Sequence, residues 1–389
     1  MKAGALPVHG PRAVVAALAA HGWEAHRAEA AASGLGPVAL HLREVPAPAI
    51  EALVAWNGKA ALDLLTGPDW VIIAGTRSRV SALARPWTVP PELSELAVAV
   101  GMALPADPVP EWITGRGRIV LEHGVLVGIV NVTPDSFSDG GAHPSVDAAV
   151  DHAARLLDDG ATMLDVGGES TRPGAAPVPV EEELRRAVPV VEALVRRFPD
   201  TPVSIDSVKA PVARAALAAG AWAVNDVSGL RLDPDIAGAV RDAGAGIILM
   251  HSRGAFSEMA TFEHTEYPAG VVDGVAAELG VALVRATGEG IAADRIVVDP
   301  GFGFSKTAEQ NLALLDGLAG LAGLGKPVMV GPSRKRFLGH ATGRDVADRD
   351  RATAAACLLA WERGARLFRV HEPAAVRDAL ALARSVGAP

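Results

Sequence analysis

The sequence predicts an α/β protein: a (β/α)8 TIM barrel preceded by a small N-terminal α/β extension. Three observations lead there. The chain has 389 residues, too many for one small domain. From about residue 116 onward, short apolar β-branched runs alternate with Ala- and Leu-rich helical stretches, eight times over. Each run ends in a hydrogen-bonding or charged side chain, and strand C-terminal ends are where such a barrel places its chemistry.

The extension comes first. Val38–Leu42 and Trp70–Ala74 read as strands, and Ile50–Trp56, Arg77–Ala84 and Leu93–Met102 as helices. Five of the seven tryptophans lie in the first 112 residues. Leu104–Glu111 carries three prolines and reads as a linker. The boundaries expected are residues 1–110 for the extension and 116–389 for the barrel. Nothing in the extension carries recognisable chemistry. It is expected to serve as a structural or dimer-stabilising appendage, with a second activity or regulatory role as the alternative.

Arg118–Glu122 with His123 and Gly124 suggests a short hairpin closing the barrel bottom. The strands follow at Leu126–Val130, Met163–Val166, Val203–Ile205, Ala223–Asn225, Ile247–Met250, Ile296–Val298, Val328–Val330 and Leu367–Val370. Most run apolar without alternation, as parallel strands covered on both faces do. An open doubly wound sheet is the runner-up, but eight units would make it large. Cys357 sits in the apolar stretch ATAAACLLAW and reads as a core residue. His143, His152, His264 and His340 belong to no motif and are expected at the surface.

Composition narrows the function classes. Half the chain is hydrophobic and 21% is charged, so it can bury a core. A single cysteine excludes a disulfide framework and a multi-cysteine metal site. Pro7, His9 and Pro11 interrupt the N-terminus before an apolar signal core forms, and no apolar run is long enough to span a membrane. A cytoplasmic protein is the expectation. Residues 1–118 are net neutral and the rest carries the whole net charge of −9. That acidic body suits nucleic acid poorly, so an anionic ligand would need local cations.

The strand ends are distinctive. The first leads into NVTPDSFSDGG (131–141), and the second carries Asp165 in DVGGESTRPGA (165–175). Then come Asp206 in SIDS, Asn225-Asp226, Met250-His251, DPGFGF (299–304), Ser333-Arg334-Lys335 and Arg369-Val370-His371. In this order the eight segments resemble dihydropteroate synthase of folate biosynthesis, over about residues 116–385. The resemblance is specific, because two of the segments are long and all eight are in order.

That resemblance implies condensation of 6-hydroxymethyl-7,8-dihydropterin pyrophosphate with p-aminobenzoate, giving 7,8-dihydropteroate and pyrophosphate, with Mg2+ required. It implies that Asp299 accepts the two N–H groups of the pterin's amidine-like edge in a fork. Asp206 and Asn225 would hold the other ring edges, Lys335 would donate to the ring carbonyl and N5, and Met250 and Phe304 would complete the pterin pocket. Arg369, His371 and Arg172 would neutralise pyrophosphate, and Asn131 would hold Mg2+ through its amide oxygen. Asp165 and Asp139 would stabilise positive charge at the pterin methylene, with no nucleophile required. Phe137, Thr171, Arg172 and Pro173 would border p-aminobenzoate, its carboxylate near Ser333–Arg336 at a helix N-terminus. Residues 131–142 and 167–177, rich in Gly, Pro, Ser and Thr, would be mobile until ligand closes them.

Many family members carry Ser where this chain has Arg336, which either offers the carboxylate a guanidinium or points to solvent. The family's dimers imply a homodimer. A corrinoid-dependent methyltransferase barrel shares the acidic pterin clamp, but TRPG, SRK and RVH argue against it. A barrel that binds pterins without turnover is the other alternative.

Overall fold

A computed structural model describes residues 2–5, 37–60, 62–76, 80, 83, 89–103, 111–132, 146–170 and 177–385. The chain divides into two compact units, one formed chiefly by residues 1–107 and the other chiefly by residues 108–387.

The first unit is an antiparallel sheet with helices. Its strands are β1 (Lys2–Ala5), β2 (Pro37–Arg43), β3 (Asp63–Thr66) and β4 (Trp70–Thr76), in the order β1-β2-β4-β3. Helix α1 (Ala47–Ala60) follows β2, and α2 (Ser94–Ala103) ends the unit. Leu40, Leu42, Leu53, Val71, Ile73, Leu96 and Val100 form its own buried core. Both expected strands are present, as β2 and β4, and β1 and β3 are additional. For β3 the reason is plain. Its stretch DLLT is too short to announce itself by periodicity. Of the expected helix over Arg77–Ala84, only Val80 and Leu83 lie within the described residues; both are buried.

The second unit opens with a hairpin of β5 (Glu111–Thr114) and β6 (Gly117–Val120). It begins earlier than the expected Arg118–Glu122 hairpin, because the turn falls at Gly115 and Arg116. Eight parallel strands then close: β7 (Val125–Asn131), β8 (Met163–Gly167), β9 (Val203–Asp206), β10 (Ala223–Asp226), β11 (Gly246–Met250), β12 (Ile296–Asp299), β13 (Val328–Val330) and β14 (Ala365–Val370). The ring closes where β14 pairs with β7, Arg369 lying opposite Val127. Outside run α3 (Val146–Asp158), α4 (Val180–Arg197), α5 (Ala210–Ala218), α6 (Ile236–Ala243), α7 (Val271–Gly288), α8 (Ala308–Asp316), α9 (Arg336–Thr342), α10 (Asp350–Glu362) and α11 (Pro373–Ser385). This is the expected TIM barrel, each predicted strand lying within an observed one.

The amphipathic helices explain the closure. α4 buries Ala187, Val190, Val191 and Leu194 at helical spacing against outward-facing Val166 and Ile205. Inside the barrel, Trp112 and Ile119 of the hairpin pack with Val127, Met163, Ala223, Ile248, Val297, Met329 and Leu367. Trp112 is fully buried and its indole Nε1 donates to the Arg295 carbonyl at 2.8 Å, so the hairpin stoppers the N-terminal end of the barrel. Cys357 is fully buried in α10, as its apolar neighbours imply. Among the described residues, no helix is long and apolar enough to cross a membrane.

Candidate active site

Strand periodicity builds the site. Side chains two apart share a face, so the residue after next from each interior core residue also points inward, one layer nearer the C-terminal mouth. From Met163, Ala223, Ile248, Val297 and Leu367 this rule reaches Asp165, Asn225, Met250, Asp299 and Arg369. On β9 the same step leads from Ser204 to Asp206. On β8, β12 and β14 the barrel thus changes from hydrocarbon to charge within one residue pair, at Asp165, Asp299 and Arg369.

One side of the mouth is a hydrogen-bonded network. Asp165, fully buried, accepts from Ser204 Oγ at 2.6 Å, Asn225 Nδ2 at 3.0 Å and Arg369 Nε at 2.6 Å. A second guanidinium nitrogen of Arg369 donates to Asp206 at 2.8 Å. Burial opposes the Arg369 charge, but the Asp165 and Asp206 carboxylates outweigh it and raise its pKa. Burial pushes Asp206 up to about 7 even with Arg369 beside it. Asn225 Oδ1 is buried and has no partner among the described residues. Such an orphan acceptor is costly in a native core, and a ligand N–H would satisfy it.

The opposite side is a turn. Asp299 Oδ1 accepts from the Gly301 N–H at 2.7 Å, and its other oxygen has no hydrogen bond among the described residues. Gly301 has φ +68°, and a Cβ there would lie 2.0 Å from the His251 carbonyl oxygen, so only glycine fits. Lys335, half-buried, donates from Nζ to the Phe302 carbonyl at 2.7 Å and sits 3.9 Å from the centre of the Phe304 ring. Burial raises Asp299 to about 6 and lowers Lys335 to about 7, their mutual attraction opposing both shifts. Met250 and Phe304 share an apolar cluster with Val208, Val227, Met259 and Ala260, which gives the mouth one greasy wall.

The other candidate residues are distributed as follows. Asn131 ends β7, partly exposed, and its side-chain amide makes no hydrogen bond among the described residues. His371 and Ser333 are joined, Oγ to Nδ1, at 2.9 Å. Arg336 is exposed, and its guanidinium donates to the Ala260 carbonyl at 2.9 Å and lies 4.6 Å from the centre of the Phe262 ring. Phe137, Asp139, Thr171, Arg172 and Pro173 lie outside the described residues, as does His143 and most of both expected mobile loops. His340 is exposed as expected, whereas His264 is only half-exposed and contacts Glu258. His152 corrects the surface expectation. It is half-buried against the Ile129 carbonyl at 3.2 Å, and burial lowers its pKa.

The profile of the pterin binding enzyme family matches residues 127–371. Dihydropteroate synthase of Mycobacterium leprae is 45% identical over 261 residues, which cover 66% of this chain and 90% of that protein. That of Synechocystis is 45% identical over 249 residues, covering 64% and 84%. The chain belongs to the dihydropteroate synthase family. These enzymes are transferases of folate biosynthesis. Among solved dihydropteroate synthases, that of Xanthomonas albilineans with 4-aminobenzoic acid superposes with TM-score 0.67 and 46% identity, covering 72% of this chain and 99% of that one. The Burkholderia cenocepacia enzyme complexed with 7,8-dihydropteroate gives TM-score 0.64 and 40% identity, covering 72% and 96%.

Around the dihydropteroate synthase mouth stand residues that sequence reasoning passed over. Ser204 orients Asp165, and its place two residues before Asp206 on one strand could have revealed it. Asp226 turns away from the mouth to accept from Ser228 and Leu230, stapling its own loop. Lys209 donates to Glu169 at 2.7 Å, to the Val178 carbonyl at 2.9 Å and to Glu183 at 2.5 Å. It therefore ties together the two ends of the segment containing Arg172. No sequence spacing signals that contact, since the partners are 26 to 40 residues apart.

Proposed function

We propose that this chain joins 6-hydroxymethyl-7,8-dihydropterin pyrophosphate to p-aminobenzoate, releasing 7,8-dihydropteroate and pyrophosphate. The observation that carries the reading is the convergence of Asp165, Asp206, Asn225, Asp299, Lys335 and Arg369 on one barrel mouth, with the Asn225 oxygen buried and unpaired among the described residues.

In this reading the flat pterin enters edge-on. The unpaired oxygen of Asp299 and its Gly301-bound partner accept the 2-amino and N3 hydrogens. Asn225 Oδ1 accepts a further ring hydrogen, and Lys335 exchanges its Phe302 carbonyl for the ring carbonyl and N5. Met250 and Phe304 cover the ring faces. As the C–O bond to pyrophosphate breaks, negative charge grows on the leaving group and positive charge on the methylene. Arg369, His371 and Arg172 are the cations for the first; Asp165, buried beside Arg369, and Asp139 serve the second. The aniline nitrogen then attacks, bounded by Phe137, Thr171, Pro173 and the Ser333–Arg336 segment.

Asn131 suits Mg2+. It offers one hard amide oxygen without another partner among the described residues, and Mg2+ takes few protein ligands beside waters and phosphate oxygens. The ion would screen the charge of the pyrophosphate. A homodimer and a cytoplasmic location complete the proposal. Residues 1–110 act as a structural appendage, a role supported by a self-contained apolar core.

Pyrophosphate release with both substrates present tests the function. Release that requires p-aminobenzoate and Mg2+ upholds it. Methyl transfer without pyrophosphate would overturn it in favour of a methyltransferase.

A further inference from the structure

We propose that Lys306, whose ammonium reaches backbone carbonyls and His251 but no side chain assigned to substrate, is the positioning residue of the pterin clamp: the 301–304 turn folds around its ammonium, and that turn aims Lys335 at Asp299. The proposal rests on the pterin reading above.

Lys306 is only 2% exposed. Its Nζ reaches three acceptors: His251 Nδ1 at 2.9 Å, the Gly301 carbonyl at 3.1 Å and the Phe304 carbonyl at 3.0 Å. Burial lowers Lys306 to about 7 against the pull of Asp299, and in the ammonium form its three donors match the three acceptors, so the count closes. A neutral amine would leave one acceptor without a hydrogen. The two carbonyls are the ends of the turn, and Phe304 N–H also donates to Gly301 O at 3.1 Å. Asn311 holds the middle, accepting from Gly303 N–H at 2.7 Å and donating to the Lys306 and Thr307 carbonyls.

The third acceptor is itself prepared. His251 can accept at Nδ1 only if its proton is on Nε2, and Nε2 faces Glu278 Oε2 at 3.1 Å. Glu278 is held in turn by Arg253. Burial takes the imidazole down to about 4, so it is neutral and available at ordinary pH.

The turn delivers both of the protein contacts described for Lys335 Nζ, the Phe302 carbonyl and the Phe304 ring. Gly303, at φ +78°, sits where a Cβ would meet Lys335 Cδ at 2.6 Å, so turn and lysine are in direct van der Waals contact. The Gly301 N–H bonded to Asp299 comes from the same turn. Lys306 thus fixes the geometry between the clamp's carboxylate and its cation without touching either.

The test is a double-mutant cycle read by calorimetry with a plain pterin. Lys306→Met keeps length and removes the donors. It is expected to weaken pterin binding about tenfold or more, the loss typical of a misplaced charged hydrogen bond. In a Lys335→Ala background the same change should cost clearly less, because one of the two clamp groups it positions is gone and only the Asp299 side remains. In an Arg369→Ala background it should cost its full amount. His251→Leu, which removes the third acceptor, should reproduce the loss, and His251→Asn, which retains an acceptor near Nδ1, should recover most of it. The histidine pair decides the matter if Lys306→Met does not fold. Unchanged affinity in folded Lys306→Met, losses that add with Lys335→Ala, or equal effects of both histidine variants would each overturn the inference alone. Absence of pterin binding by the unaltered protein would overturn the pterin reading and this inference together.

Discussion

The two ends of the barrel are built on opposite principles. The N-terminal end is filled by Trp112, Ile119 and a ring of aliphatic side chains, with the Trp112 indole bonded to a backbone carbonyl. The mouth, further along the same strands, holds Asp165, Asp206, Asp299 and Arg369, joined by Lys335 from the loop after β13. Burying those ions costs free energy that their mutual attraction only partly offsets. The hydrocarbon floor therefore supplies stability and the mouth spends it on recognition. A change at one end should leave the property of the other intact.

The floor gives the largest effect. Trp112→Ala should cost about 3–5 kcal/mol of unfolding free energy, as large core aromatics do. Denaturant titration measures it, and pterin affinity of the folded protein should not change. A matching loss of affinity would mean that the ends are not independent. At the mouth, Asp299→Ala unpairs two donors of the pterin and should weaken its binding by about 3 kcal/mol, more than a hundredfold, with unfolding free energy equal or higher. Near-normal affinity by calorimetry would remove Asp299 from the clamp. Arg369→Ala should lower turnover about a hundredfold through the leaving group, while a plain pterin binds almost as before. Comparing calorimetry for the two ligands separates these roles.

Proton linkage sharpens the contrast. Asp299 has its pKa raised from 3.8 to about 6 by burial, so its accepting carboxylate is present above that value and lost below it. Pterin affinity should accordingly fall about tenfold per pH unit below about 6. The folded protein binds this proton more tightly than the unfolded chain does. Asp299 therefore makes the empty protein less stable as pH rises from about 4 to 6, a trend Asp299→Asn should flatten. The smallest effect is expected from removing residues 1–107. The remaining unit should keep its pterin affinity, whereas starting at residue 116 deletes β5 with Trp112 and should reproduce the floor defect.

Much of this was legible in the sequence because parallel strands buried on both faces are apolar in unbroken runs, and all eight were placed within a residue or two of their observed ends. The polar residues at their tips followed from the same alternation. What escaped was set by distance in sequence. The hairpin that plugs the floor was displaced, since Gly115 and Arg116 make a turn that no strong signature marks. Lys306 and Lys209 belong to none of the motifs that the sequence offers, and only the folded chain brings His251 or Glu183 to them. The orientation of Arg336 toward Ala260 was equally hidden, because its partner lies 76 residues away.

The stoppered hairpin end has a kinetic corollary. A barrel sealed below is a blind cup, and in the reaction proposed above both substrates and both products would share its one door. A heterocycle seated deepest would then be first in and last out, and a diphosphate nearer the door would have to clear before the finished conjugate. In that reading, release of the larger product is the step to compare with bond making.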